Sequence, residues 1–138
     1  MTDRLIGIDF GLSKVGLSIS DPLKIISIPL KVIKYKKREE LLSKLKEIAI
    51  ENDVKSFVIG YPLNMNNKKN EMTKLVDDFF EELKNLNFNV FLQDERLSSE
   101  SAKKIMHEQN IKTGKNKEHI DLIASTIILQ SFLDKGSF

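Results

Sequence analysis

Three carboxylates stand where they could act together. Asp9 ends the apolar run Arg4-Leu5-Ile6-Gly7-Ile8 and meets the turn at Gly11. Glu95 follows the run Val90-Phe91-Leu92-Gln93, and Asp121 opens the last helical segment. Aspartate fits poorly in a strand interior, but a carboxylate is a good ligand for a hard cation over a phosphate. Clustered carboxylates repel one another unless a cation neutralises them. Two divalent ions, Mg²⁺ or Mn²⁺, would do so, and such a pair about 4 Å apart stabilises the attacking and leaving oxygens of an in-line phosphodiester displacement.

Taken singly, each acid has a plainer reading. Asp9 fits a turn, Asp121 could complement a helix dipole, and Glu95 could pair with Arg96 on the surface. Other chemistries find less support. There is no cysteine, so disulfides, zinc-thiolate sites and a thiol nucleophile are excluded. The two histidines, His107 and His119, lack metal-ligand spacing, and no serine has evident His and Asp partners for a triad.

The elements that must position these acids read clearly along the chain. Residues 4–10 and 14–20 alternate as two strands joined by Gly11-Leu12-Ser13, the layout of an antiparallel hairpin. A third strand, Ile25 to Ile33, is expected to break near Pro29 and so to lie at an edge. Leu41, Leu45, Ile48 and Ala49 have helical spacing. Residues 56–60 read as a buried strand, and 61–70 as a polar loop. Met72, Leu75, Val76, Phe79, Phe80, Leu83 and Leu86 form one apolar helical face. Residues 90–93 form a further strand. A helix capped by Ser98 or Ser99 is expected to run to about His107. The last helix spans about Lys117 to Lys135, with Ile120, Ile123, Ala124, Ile127 and Phe132 inward and Gly136 past its end.

Three strands joined by short turns, followed by βα units, imply an α/β fold with a mixed five-stranded sheet: three antiparallel strands, then two parallel, with helices on both faces. The carboxyl ends of parallel strands lie side by side, and ligands bind at that edge. Asp9 and Glu95 end there, and a helix crossing the same edge would bring Asp121. Strand alternation turns one of Asp94 and Glu95 away; the reading favours Glu95 inward, although alternation alone does not decide. Ala124 and Ser125, at i+3 and i+4 from Asp121, are small. They either admit a bulky substrate or let the helix pack closely on the sheet.

At 138 residues the chain is expected to form one domain, residues 1–138, with a real core. Its start lacks the layout of a signal peptide, and no apolar run approaches the roughly 20 residues of a membrane span, so a cytoplasmic location without membrane association is expected. A net charge of +2 allows a nucleic-acid partner without requiring one. Lysines and Arg38 crowd residues 31–38, and Lys103, Lys104, Lys112, Lys115 and Lys117 crowd a later segment; solvated surface lysine is the plainer reading of each.

Read in order, the motifs resemble the YqgF/RuvX family of RNase H-like nucleases. The matching stretches are Gly7-Ile8-Asp9-Phe10-Gly11 with Lys14 and Gly16, Ser20-Asp21, and Gly60-Tyr61-Pro62-Leu63-Asn64-Met65. Further on they are Asp94-Glu95-Arg96-Leu97-Ser98-Ser99 with Ala102, then Lys117 through Ile120-Asp121, Ala124, Ile128-Leu129-Gln130 and Leu133-Asp134. The resemblance runs from about residue 4 to 134. It implies an RNase H-like fold and metal-dependent phosphodiester hydrolysis, with metal ligands at Asp9, Glu95 and Asp121 and substrate-binding Lys14 and Arg96. The family is named for two activities, pre-16S rRNA cleavage and Holliday junction resolution. The implied partners are therefore an rRNA precursor with ribosomal particles, or branched DNA. A resolvase would need a twofold dimer, whereas a monomer would suit the RNA reading. Departures are small: Asn66-Asn67 replaces an Asp-Gly pair, Ser125 replaces an Ala, and Leu12-Ser13 replaces a Thr-containing turn. A non-catalytic nucleic-acid-binding module of the same fold is a competing reading. The phosphate hairpin of actin-like ATPases is a more distant one, since those proteins need two such domains.

Overall fold

The computed structural model describes residues 4–63, 69–94 and 117–136. Alternation along the first strand, β1 (Arg4–Asp9), divides the molecule into two faces. Ile6 and Ile8, with Phe10 just beyond the strand, enter one apolar cluster, while Leu5 enters a second on the opposite side. Gly7 and Asp9 share the side of Leu5. The other strands are β2 (Lys14–Ser20), β3 (Ser27–Lys34), β4 (Val54–Tyr61) and β5 (Asn89–Asp94). The sheet order is β3-β2-β1-β4-β5. β1 pairs antiparallel with β2 and parallel with β4; β2–β3 is antiparallel and β4–β5 parallel. This is the mixed sheet expected from the sequence, and β1 lies at its centre.

Helices α1 (Arg38–Glu51) and α2 (Glu71–Asn85) cover the face of Ile6 and Ile8. Leu41, Leu45, Ile48 and Ala49 of α1 are buried, as their spacing requires. A fully buried Leu contributes about 1.5–3 kcal/mol over an exposed one. Val76, Phe79 and Leu83 of α2 complete this larger core. A capping box opens α2: the Asn70 side chain accepts from Thr73 N at 3.1 Å, and Asn70 N donates to Thr73 Oγ1 at 2.8 Å. The last helix, α3 (Lys117–Lys135), is the helix that covers the other face among the described residues. Its Ile128, Leu129, Phe132 and Leu133 pack on Leu5 and Val58. No helix among the described residues is long and apolar enough to cross a membrane.

Two expectations change. β3 does not break at Pro29. The strand is continuous, but its pairing is irregular beside the proline: Leu17 pairs with Lys31 and Ser18 with Pro29, so Leu30 of β3 is the extra, unpaired residue. An edge strand tolerates a missing N–H, and the bulge absorbs the mismatch. The inward face of α3 also differs. Ala124 and Phe132 are buried, but Ile120, Ile123 and Ile127 are only partly so, and Ser125, Ile128 and Leu129 take the innermost positions. α3 is apolar around much of its circumference, so apolar periodicity sets its rotation poorly. Small residues that permit close approach set it instead. The expected helix from Ser98 or Ser99 to His107 lies outside the described residues.

The β2–β3 connection is held by Asp21, whose Oδ1 accepts from the backbone N–H of Ile25 at 2.7 Å and of Ile26 at 2.9 Å. These bonds, Ile26 first, lower the Asp21 pKa from its ordinary value. A lowered native value means the stabilisation is present above the usual carboxylate range and is lost as pH falls through the native value. Hydrogen-exchange protection factors of the Ile25 and Ile26 amides should therefore hold at neutral pH and fall in acid. Asp21→Asn should show weaker protection at neutral pH and no acid step of its own; an unchanged acid step in the variant would assign it elsewhere.

Candidate active site

The site is built on a glycine. Gly16 of β2 pairs with Asp9 of β1, so the two share a face. A Cβ built on Gly16 would lie 2.7 Å from the carbonyl carbon of Asp121 and 3.1 Å from its Cβ, with the carbonyl oxygen closer still. Only glycine lets α3 cross β2 at this depth. The approach sets Asp121 over the cross-strand partner of Asp9, at the carboxyl end of β1. Asp121 is the fifth residue of α3, beyond the first turn. Its place is therefore poorly explained by the helix dipole, whose effect falls off within that turn.

Below this crossing, hydrogen bonds fix the height and rotation of α3. Ser125, one turn after Asp121, donates its hydroxyl to the Gly7 carbonyl at 2.9 Å. Ser18 Oγ donates to the Ser125 carbonyl at 2.9 Å, and the two hydroxyls lie 3.0 Å apart. All three residues are buried. A Cβ on Gly7 would come within 2.5 Å of Ser18 Oγ and 2.7 Å of Leu129 Cβ, so this position also demands close approach. Five residues further on, Gln130 accepts from Ser27 N and donates to the Ile25 carbonyl, each at 2.9 Å. α3 is thus tied to β1, β2 and the start of β3.

The other face pins the end of β1. Phe10, next to Asp9, stacks on Phe79 with ring centroids 4.8 Å apart. The Arg38 guanidinium lies 5.2 Å from the Phe10 centroid and 5.7 Å from that of Phe79, and it pairs with Glu82. Tyr35 donates its hydroxyl to the Gly11 carbonyl and its N–H to the Ser13 carbonyl, bracing the β1–β2 turn. Burial raises the Tyr35 phenol above its ordinary pKa, with Arg38 opposing.

At the site itself, Lys14 Nζ stands 3.1 Å from Asp121 Oδ2. That oxygen is buried and accepts no hydrogen bond from the described residues, so the ammonium faces it as a charge rather than as an aligned donor. Of the residues named from sequence, the structure brings Asp9, Lys14 and Asp121 to one sheet end. Glu95 and Arg96 lie outside the described residues. β5 nevertheless bears on the choice between Asp94 and Glu95. Phe91 packs in the cluster with α3, and Asp94 pairs in register with Tyr61, which packs on the α1–α2 core. Asp94 therefore has the parity of the face away from Asp9. Among the described residues no three His, Cys, Asp or Glu side chains gather as a metal cluster. Ser18 and Gln130 were not singled out from the sequence as positioning residues. The signal for Ser18 was the row of small residues Gly16, Ser18 and Ser20, at alternate positions along one strand face; Gln130 had no comparable signal.

Comparison with known proteins now bears on this geometry. The family described as "RuvX: Holliday junction resolvase" matches residues 3–135. A curated relative from Ruminiclostridium cellulolyticum, named "Putative pre-16S rRNA nuclease", is 39% identical over 134 residues, covering 96% of this chain and 94% of its own. Among solved structures, the fowlpox virus resolvase complexed with Holliday junction DNA aligns with a TM-score of 0.60 at 10% identity, over 98% of this chain and 99% of that one. RuvC of T. thermophilus, also complexed with a Holliday junction substrate, aligns at 0.56 and 14% identity, over 97% and 96%. The fold is that of the RNase H-like resolvases, and the enzyme class is that of hydrolases acting on phosphodiester bonds. The chain belongs to the RuvX family.

The crossing at Gly16 predicts a sharp size limit. Gly16→Ala should destabilise the fold by about 1–3 kcal/mol through overpacking, read as a lower urea midpoint at unchanged m-value. Ser125→Ala removes hydrogen bonds but adds no bulk, so about 1 kcal/mol is expected. A Gly16→Ala variant as stable as wild type would show that α3 does not rest on that strand.

Proposed function

We propose that this protein is a metal-dependent endonuclease, residues 1–138 acting as one nuclease domain, that hydrolyses phosphodiester bonds at the 5′ end of pre-16S rRNA. The observation that carries the catalytic reading is the buried Asp121 Oδ2, which has a cation beside it but no hydrogen-bond donor among the described residues, over the strand pair that carries Asp9. Such an oxygen suits a hard divalent ion, and Mg²⁺ is commonly held by one or two carboxylates while keeping waters and substrate oxygens. Asp9 and Asp121 would hold one ion; Glu95, which the parity of β5 favours over Asp94, would share a second. When bound, such ions lower the pKa of a water and offset the charge on the leaving 3′ oxygen.

The chain's own residues do the rest. The Ser125–Gly7 and Ser18–Ser125 bonds hold Asp121 at a fixed height, and the Phe10–Phe79–Arg38 stack holds the end of β1. Lys14 neutralises Asp121 in the free protein and then meets a substrate phosphate, as does Arg96. No side-chain nucleophile is needed. The rRNA substrate rests on the name of the curated relative. The family description favours a second reading, a resolvase cutting four-way DNA junctions.

Cleavage of a precursor rRNA fragment and of a four-way DNA junction, in parallel and with Mn²⁺ or Mg²⁺, separates these readings. Faster cutting of the junction, accompanied by dimerisation, would favour the resolvase. Asp9→Asn and Asp121→Asn should each lower turnover about a thousandfold or more, since metal coordination supplies several kcal/mol, while leaving the circular dichroism spectrum unchanged. Variants that cut as well as wild type would remove these residues from the chemistry. Lys14→Gln should bind Mn²⁺ more tightly, by up to about tenfold after solvent screening, yet bind nucleic acid less tightly. Weaker Mn²⁺ binding would contradict the assigned competition at Asp121.

A further inference from the structure

Beside the carboxylates runs a second feature that the catalytic reading does not use. Ser13, Lys14, Lys34, Tyr35, Lys36 and Glu40 line an open groove of about 670 Å³. It starts at Lys14, the partner of Asp121, and continues along the end of β3 to the start of α1. Three lysines line it against one glutamate, and Lys34 and Lys36 are exposed. Its wall is rigid, because Tyr35 is buried and bonded to the carbonyls of Gly11 and Ser13 in the β1–β2 turn. A cationic wall fixed to the turn that follows Asp9 suits a phosphodiester backbone entering the site.

The aromatic residues indicate the form of that backbone. Single strands are gripped by exposed aromatic side chains on which bases stack. The chain has no Trp, and every Phe and Tyr except Phe138 lies among the described residues. None of these is exposed. They are spent on the core, as in the stacked Phe10–Phe79 and edge-on Phe57–Phe88 pairs. Lysines without a stacking platform read phosphates, not bases.

We propose that the Lys34–Lys36 groove holds the sugar–phosphate backbone of a double-helical segment flanking the scissile bond. This rests on the hydrolytic reading above for its location, but binding can be measured apart from cleavage. In Ca²⁺ or EDTA, titrations of duplex RNA, duplex DNA and single strands across a range of salt concentrations give the affinity and its salt slope. The double variant Lys34→Gln/Lys36→Gln should bind duplex severalfold more weakly, with the slope reduced by about two. Turnover at saturating substrate should stay at the wild-type value. Lys55→Gln, at the start of β4 at the other end of the sheet, is the control and should leave the slope near wild type. The RNA and DNA duplex arms distinguish the two sources of the backbone.

An unchanged slope in the double variant, or single strands bound as tightly as duplex, overturns the proposal. A reduced slope in a protein that cleaves nothing supports the groove and removes the hydrolytic reading. Intact cleavage with an unchanged slope does the reverse.

Discussion

The close crossing of α3 over β2 at Gly16 is the constraint on which the rest of this structure depends. A helix normally packs on a sheet through side chains from both partners. At Gly16 the strand contributes no side chain, and the backbone of Asp121 sits where a Cβ would be. The gain is positional. A carboxylate on a helix and a carboxylate on a strand come to one sheet end without either occupying a flexible loop.

Close approach has a polar cost, since it buries backbone and hydroxyl groups that water would otherwise satisfy. The structure meets it with local partners: Ser125 with Gly7, Ser18 with Ser125, and Leu5 N with Ser20 Oγ at 2.9 Å. The α3 face of β2 is consequently small and hydroxylated, whereas its other face, Val15, Leu17 and Ile19, is wholly apolar. One strand thus serves the layer that carries the candidate site and a stabilising layer at once. The larger core under α1 and α2 can carry the stability of the fold while the α3 layer is shaped by the site.

Much of this was legible in the sequence. Alternation in residues 4–9 and 14–20 gave the hairpin, and the apolar face of residues 72–83 gave α2. The order of elements gave the sheet, because short connections leave few topologies. The rotation of α3 was not legible: Ile120, Ile123 and Ile127 read as inward on hydropathy, yet Ser125 is buried more deeply than any of them. Hydropathy ranks transfer from water and cannot foresee a hydroxyl that finds a buried carbonyl. Pro29 marks an edge strand and a bulge at the adjacent Leu30, but not a break, since its missing N–H matters only where a ladder bond is required. Asp9 and Asp121 stood out because carboxylates near the ends of strands and helices are conspicuous, and the structure places both at one sheet end. Ser18 and Gln130 escaped because positioning residues look ordinary until their partners are known.

The central claim is that Asp9 and Asp121 form one cation-binding pair. Anomalous scattering from crystals soaked in Mn²⁺ tests it most directly. The account predicts a peak between the two carboxylates, within coordination reach of an oxygen of each, with Lys14 displaced from Asp121. A soaked crystal with no peak there, and with Lys14 still paired to Asp121, would contradict it.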